Sequence, residues 1–293
     1  MSDSYTGVKV LYTSKENIDL VYKNGYIDLN IFDGRLRLNK NQNMFIVLKD
    51  EVPKEQGGVA SVLCWVKGER AQKVKVDSNT SISSIHPRNK EQIFAFEALL
   101  DDSIQAVAIA GAAGTGKTLI SSAAALFKTE KNIYDRIILT RPMSQVGKKE
   151  IGFLPGDLLS KYMPFNQGYI CNFEHLLGKQ DIETAIEQLP IEFVPIQLVR
   201  GASWPRSLII VDESQNLGHH ETLTIGTRVG EGSKIIFLGD LDQRDEKISK
   251  EATGLYKVMN SPVFKENSLT ASIELLKCER GPIPEIFSKI FAD

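Results

Sequence analysis

Cysteine is scarce in this chain. Three residues, Cys64, Cys171 and Cys278, stand among 293, with no CxxC pair and only four histidines beside them. That spacing argues against a disulfide framework and against a zinc site, and points to the reducing cytoplasm. Long apolar runs are missing too: none approaches the roughly 20 residues a spanning helix needs. The opening MSDSYTGVKV has neither a basic start nor an apolar core, so export and membrane contact are not expected. Nor does charge of one sign dominate. Lys+Arg 35 against Asp+Glu 37 leave a net charge of -2, so any nucleic-acid binding must use a local patch.

What is present is an ordinary globular composition, 42% hydrophobic and 25% charged, which excludes a disordered or fibrous chain. At roughly 150 residues per domain the length suits one large domain or two unequal ones. From Val8 onward, short apolar stretches (Val8–Tyr12, Asp19–Tyr22, Met44–Leu48, Ala60–Val66, Lys73–Val76) alternate with turn signals, the pattern of a small β-rich domain. Val52–Val59 reads as a hairpin connection. The polar, Ser-rich tract Asp77–Ser84 marks a boundary, giving domains 1–81 and 82–293.

Beyond Pro87 the pattern becomes βαβ, which implies an α/β fold with a parallel sheet covered on both faces. Expected strands are Ile104–Ala110, Arg136–Thr140, Glu192–Leu198, Ser207–Val211 and Lys234–Leu238. Expected helices are Gln92–Leu100, Lys117–Phe127, part of Asp157–Leu177, Ile182–Gln188 and part of His219–Arg228.

The strongest chemical signal is Gly111-Ala112-Ala113-Gly114-Thr115-Gly116-Lys117-Thr118, a GxxxxGK[ST] run after an apolar strand and before an Ala-rich helix. Its main-chain N–H groups and the helix N-terminus suit phosphate, Lys117 the β and γ phosphates, and Thr118 a Mg²⁺ ion. The second signal is Leu208-Ile209-Ile210-Val211-Asp212-Glu213. Asp212 suits Mg²⁺ through water and Glu213 the polarisation of an attacking water, a Walker B pair to the Walker A loop. A third strand ends in Gly239-Asp240 with Gln243 following. Its end should lie beside that of the Asp212 strand, where the Gln243 carboxamide can reach the γ-phosphate or the lytic water.

These residues, with Pro87-Arg88-Asn89-Lys90-Glu91-Gln92, Thr140-Arg141-Pro142, Gly152-Phe153-Leu154-Pro155-Gly156-Asp157, Asp212-Glu213-Ser214-Gln215-Asn216, Thr227-Arg228-Val229-Gly230 and Cys278-Glu279-Arg280, resemble the PhoH-like ATPase family. That family is related to the superfamily-one helicase core. Ser214 stands where the family usually carries Ala. The resemblance implies a RecA-like domain, ATP and Mg²⁺ as cofactors, Gln92 pairing with adenine and Arg280 stabilising the transferred phosphate. It offers Arg141 and Arg228 as other arginines for phosphate or subunit contact. The N-terminal region resembles the β region that follows a PIN nuclease domain in longer forms. No acidic cluster precedes Tyr12, so ribonuclease activity is not expected here.

Lys148 and Lys149, with Lys161 and Arg200, form either a nucleic-acid path or a solvated charge run. Tyr162, Phe165 and Tyr169 are either base-stacking residues or core. His219 and His220 read as helix-start residues. The expectation is a cytoplasmic Mg²⁺-dependent ATPase with one RecA-like domain. Because superfamily-one helicases clasp ATP between two such domains, a homo-oligomer such as a hexameric ring is expected to supply the second jaw, with Arg280 or Arg228 acting in trans. Two uses of hydrolysis stay open: a motor on RNA or another single strand, or a nucleotide-dependent switch acting on a protein partner. A small-molecule kinase is weaker, for want of a lid with clustered arginines.

Overall fold

The computed structural model describes residues 7–32, 43–52, 61–142, 162–178, 189–199, 201–244 and 248–281, together with positions 283, 286 and 290. In chain order it contains β1 (Val8–Thr13), α1 (Lys15–Asn24), β2 (Tyr26–Asp28), β3 (Phe45–Asp50), β4 (Ser61–Lys67) and β5 (Arg70–Lys73). There follow α2 (Lys90–Leu100), β6 (Ala106–Gly111), α3 (Lys117–Glu130), β7 (Arg136–Thr140), α4 (Gln167–Leu177), β8 (Ile191–Phe193) and β9 (Ser207–Val211). Last come α5 (His219–Gly226), β10 (Lys234–Gly239), α6 (Gly254–Asn260), α7 (Pro262–Lys265) and β11 (Thr270–Leu275).

The first five strands form one sheet in the order β1-β3-β4-β5-β2, with β1 parallel to β3 and the other pairs antiparallel. Phe45, Ile46, Val47 and Leu48 are all buried, because β3 is covered on both faces. On one face Ile46, Leu48, Val62 and Cys64 meet Ile18 and Val21 of α1. On the other, Phe45 lies 5.0 Å from Trp65 and stacks on Phe94 of α2 at 4.6 Å between ring centres. Phe94 belongs to the helix that also packs on the second sheet, so the two sheets share one apolar core.

Three expected strands change. Asp19–Tyr22 lies inside α1: Ile18 and Val21 are buried at helical spacing while Leu20 and Tyr22 are exposed, which a helix explains and a strand does not. In Lys73–Val76 the strand has already ended, and the N–H groups of Lys75 and Val76 both donate to Glu97 Oε2 at 2.9 Å. In Glu192–Leu198 strand β8 stops at Phe193, and Pro195, which has no N–H for a ladder, leads into a 3-10 turn. The expected helix Ile182–Gln188 and the Gly152–Asp157 run lie outside the described residues.

The second sheet runs β11-β6-β10-β9-β7-β8 with every pair parallel. Helices α2, α3 and α4 cover one face. Helices α5 and α6 with Trp204 cover the other. This is the RecA-like P-loop arrangement, and its strand order positions the site. Because β10 lies between β6 and β9, the strand ends carrying Gly111, Asp240 and Asp212 stand at one edge of the sheet, where ligands of open α/β sheets bind. Among the described residues no helix is long and apolar enough to cross a membrane.

Candidate nucleotide site

The loop between β6 and α3 is shaped by what surrounds it. Gly114 has φ +81, and a Cβ there would sit 2.8 Å from Cys278 Sγ and 3.0 Å from Arg280 Cβ. Gly116 has φ +94, with Gln92 Nε2 2.9 Å from where its Cβ would be. Neither position accepts a side chain without displacing its neighbours. The loop opens the 14-residue α3, whose N-terminal partial positive charge favours an anion. Lys117 Nζ rests on the loop's own carbonyls, donating to Gly111 O at 2.5 Å and to Ala112 O at 3.0 Å. Burial lowers the Lys117 pKa, against the pull of Asp240, Asp212 and Glu213. Thr115 is fully buried and its hydroxyl donates to Ala112 O at 2.8 Å, which braces the loop.

Two distant segments close on this loop. Glu279 N donates to Gly114 O at 2.9 Å, while Asn89 Nδ2 donates to Glu279 Oε1 at 2.9 Å and Arg88 Nη1 to Glu279 O at 3.1 Å. Asn89 also caps α2, accepting from Gln92 N. Gln92 is buried, its Nε2 donating to Thr115 O and its Oε1 accepting from Arg88 N, each at 2.9 Å. Its carboxamide therefore joins α2 to the P-loop, and pairing with a base would require exchanging those bonds. Arg280 stands in the cleft of its own chain.

The carboxylates face the loop from β9 and β10. Asp212 is 7% exposed. Burial, reinforced by the adjacent Glu213 charge, raises its pKa to about 6. Glu213 takes a left-handed φ of +51. Its Oε2 accepts from Gln215 Nε2 at 2.6 Å and its Oε1 lies 3.5 Å from Arg141 Nη2. Gln215 is 1% exposed, and its Oε1 accepts from Asp240 N at 3.1 Å. Ser214 donates to Leu238 O at 2.7 Å, so its hydroxyl ties β9 to β10. Gln215 is a site residue that the motifs alone leave without a role. Its only signal in the chain is a carboxamide two residues after the paired carboxylates, beside a strand expected to end there.

The cleft encloses about 690 Å³ and is lined by Gln92, Ala113, Gly114, Gly116, Lys117, Thr118, Asp212, Glu213, Asp240, Gln243 and Arg280, with Asn172 and His175 from α4. Arg141 and Arg228 are not among its lining residues. Tyr162 and Tyr169 are buried and belong to the packing of α4. His219 opens α5. Lys148, Lys149, Lys161 and Arg200 lie outside the described residues. The Thr118 hydroxyl and the Asp212 carboxylate are hard oxygen donors on one cleft, which suits Mg²⁺. No group of three metal-ligating side chains occurs among the described residues.

Comparison with known proteins gives the family. The chain is 36% identical over 293 residues to Protein PhoH2 of Bacillus subtilis (strain 168), covering 97% of the chain and 64% of the relative. It is 28% identical over 291 residues to Protein PhoH2 of Mycolicibacterium smegmatis, covering 99% of the chain and 63% of the relative. It thus spans less than two thirds of the length of both. Among solved structures, the Sulfolobus solfataricus SWI2/SNF2 ATPase core in complex with dsDNA matches over 66% of this chain and 40% of its own, at a TM-score of 0.39 and 13% identity. The family model described as PhoH-like protein matches residues 84–292, from just before α2 to past Arg280, and the chain belongs to that family.

Proposed function

We propose that the protein hydrolyses ATP with Mg²⁺, that single-stranded nucleic acid stimulates the reaction, and that it works as a homo-oligomer. One observation carries the hydrolysis reading: the P-loop, the Asp212–Glu213 pair, Gln243 and Arg280 line a single cleft. Mg²⁺, held by Thr118 and through water by Asp212, would neutralise phosphate charge. Lys117 exchanges the carbonyls of Gly111 and Ala112 for phosphate oxygens. Glu213 accepts a proton from the attacking water, Gln243 orients that water, and Arg280 faces the charge that builds on the transferred group. Gln92, freed from Thr115 and Arg88, pairs with adenine.

A second RecA-like wall comes in this reading from a neighbouring copy, because the described part of residues 82–293 holds one such sheet. Since Arg280 lines its own chain's cleft, Arg228 is the arginine assigned across that boundary.

The test is steady-state ATP hydrolysis by the wild type and Glu213→Gln, each with and without single-stranded RNA, with particle mass recorded in the same buffer. The expected result is strand-stimulated hydrolysis by a multimer, abolished in the variant. Hydrolysis indifferent to RNA would remove the nucleic-acid coupling. Equal rates in both proteins would remove Glu213 from the chemistry.

A further inference from the structure

We infer that Arg141 is a latch on Glu213, a positioning residue outside the nucleotide cleft, and that an anionic phosphodiester strand opens it by taking the guanidinium. The inference rests on the hydrolysis reading above.

Arg141 follows the last residue of β7, and its main chain is fixed by Tyr162, whose hydroxyl accepts from Arg141 N at 2.8 Å. Its side chain spans two attachments. Nη1 donates to Phe165 O at 2.6 Å, and Nη2 lies 3.5 Å from Glu213 Oε1. The other oxygen of that carboxylate accepts from Gln215. The group assigned to activate water thus carries a cation on one oxygen and a donor on the other. Both carboxylate oxygens are thus engaged, and a general base must bring a free oxygen within hydrogen-bond reach of the water it acts on, so the Arg141 contact has to part first.

The contact is built to be broken. At 3.5 Å, with the two side chains 21% and 40% exposed, it is a loose ion pair of the kind that contributes little to stability. A phosphate diester offers the guanidinium two acceptor oxygens in matching geometry, a stronger pairing. The surroundings are also under-bonded: Arg141 Nε, Asn166 Oδ1 and Tyr169 OH are all buried without a hydrogen-bond partner. Buried polar atoms are rarely left so, and a different placement of the guanidinium has partners to gain. In this inference Arg141 serves Glu213, while Arg280, which lines the cleft, faces the nucleotide phosphate.

The test compares wild type, Arg141→Ala and Arg141→Lys in the full chain, measuring kcat and KM for ATP across a titration of oligouridylate. Arg141→Ala should raise basal kcat by roughly threefold to fivefold, the size that release of one partly exposed ion pair permits. Its KM should stay within about twofold and its stimulation by the strand should fall toward one. Arg141→Lys, which keeps the charge but not the two-pronged reach, should fall between, and serves alone if the alanine variant does not fold. A fall in basal kcat, or a stimulation ratio equal to the wild type's, would overturn the latch. Wild-type protein without Glu213-dependent hydrolysis would overturn the latch and the reading beneath it together.

Discussion

Gln215 holds Glu213 and Asp240 in register: one end of its carboxamide donates to the Glu213 carboxylate at 2.6 Å and the other accepts from Asp240 N at 3.1 Å. Glu213 follows β9 and Asp240 follows β10, so this single buried side chain makes the spacing of two strand ends into the spacing of two carboxylates that line the cleft. Gln215→Ala should therefore lower kcat about tenfold to hundredfold with KM for ATP little changed. It leaves the Asp240 N–H buried without an acceptor, at a cost of about 1–3 kcal/mol in stability. Denaturant unfolding beside steady-state kinetics checks both, and an unchanged kcat would remove the positioning role.

Lys117 separates binding from folding. Its ammonium is half-buried against two carbonyls, and burial lowers its pKa, so the folded protein bears a desolvation cost for a charge that the proposed reaction gives to phosphate. Lys117→Met keeps the length and removes the charge. We expect ATP to bind roughly tenfold to hundredfold more weakly, the loss of one charge-assisted contact, with a melting temperature no lower than the wild type's. Titration calorimetry and thermal melts of the same preparation decide it; a large drop in melting temperature would make Lys117 a structural residue first.

Phe94 is the hinge of the shared core. It stacks on Phe45 from the first sheet and is fully buried beneath the second, so Phe94→Ala opens a cavity that touches both. The expected cost is about 3–5 kcal/mol, in one cooperative transition that shifts as a whole. Two separated transitions in calorimetry would show that the sheets melt independently.

Much of the candidate nucleotide cleft is legible in the amino-acid sequence because it depends on local order: an apolar strand, a turn that only glycine fits, then a helix. The runs at β6, β9 and β10 are continuous and apolar because each strand is buried on both faces. Helix α1 escapes because only Ile18 and Val21 of its ten residues are buried, too few to set a period. Strand β11 escapes because Ser272 and Glu274 interrupt its apolar residues. The role of Gln215 and the pairing of Arg141 with Glu213 depend on which strand lies beside which, a tertiary fact that no window of residues contains.

Acid should loosen the seam between the sheets. Lys67 of β4 pairs with Asp101, the residue that ends α2, so the ion pair crosses from one sheet's layer to the other's. Burial works to raise the Asp101 pKa, yet the Lys67 ammonium and the Ser103 donors outweigh it and hold it at about 2. An unfolded aspartate titrates near 4. Between those values the folded protein binds fewer protons than the unfolded chain, so the stabilisation is complete above about pH 4 and is lost as pH falls toward 2. The shift corresponds to at most about 2.5 kcal/mol, and nearer 1 after allowing for the solvent that reaches both side chains. Asp101→Asn should therefore cost about that much at pH 7 and converge on the wild type near pH 2. Denaturant midpoints taken from pH 2 to 6 give the two curves; parallel curves with a constant offset would mean that the residue contributes packing and no charge.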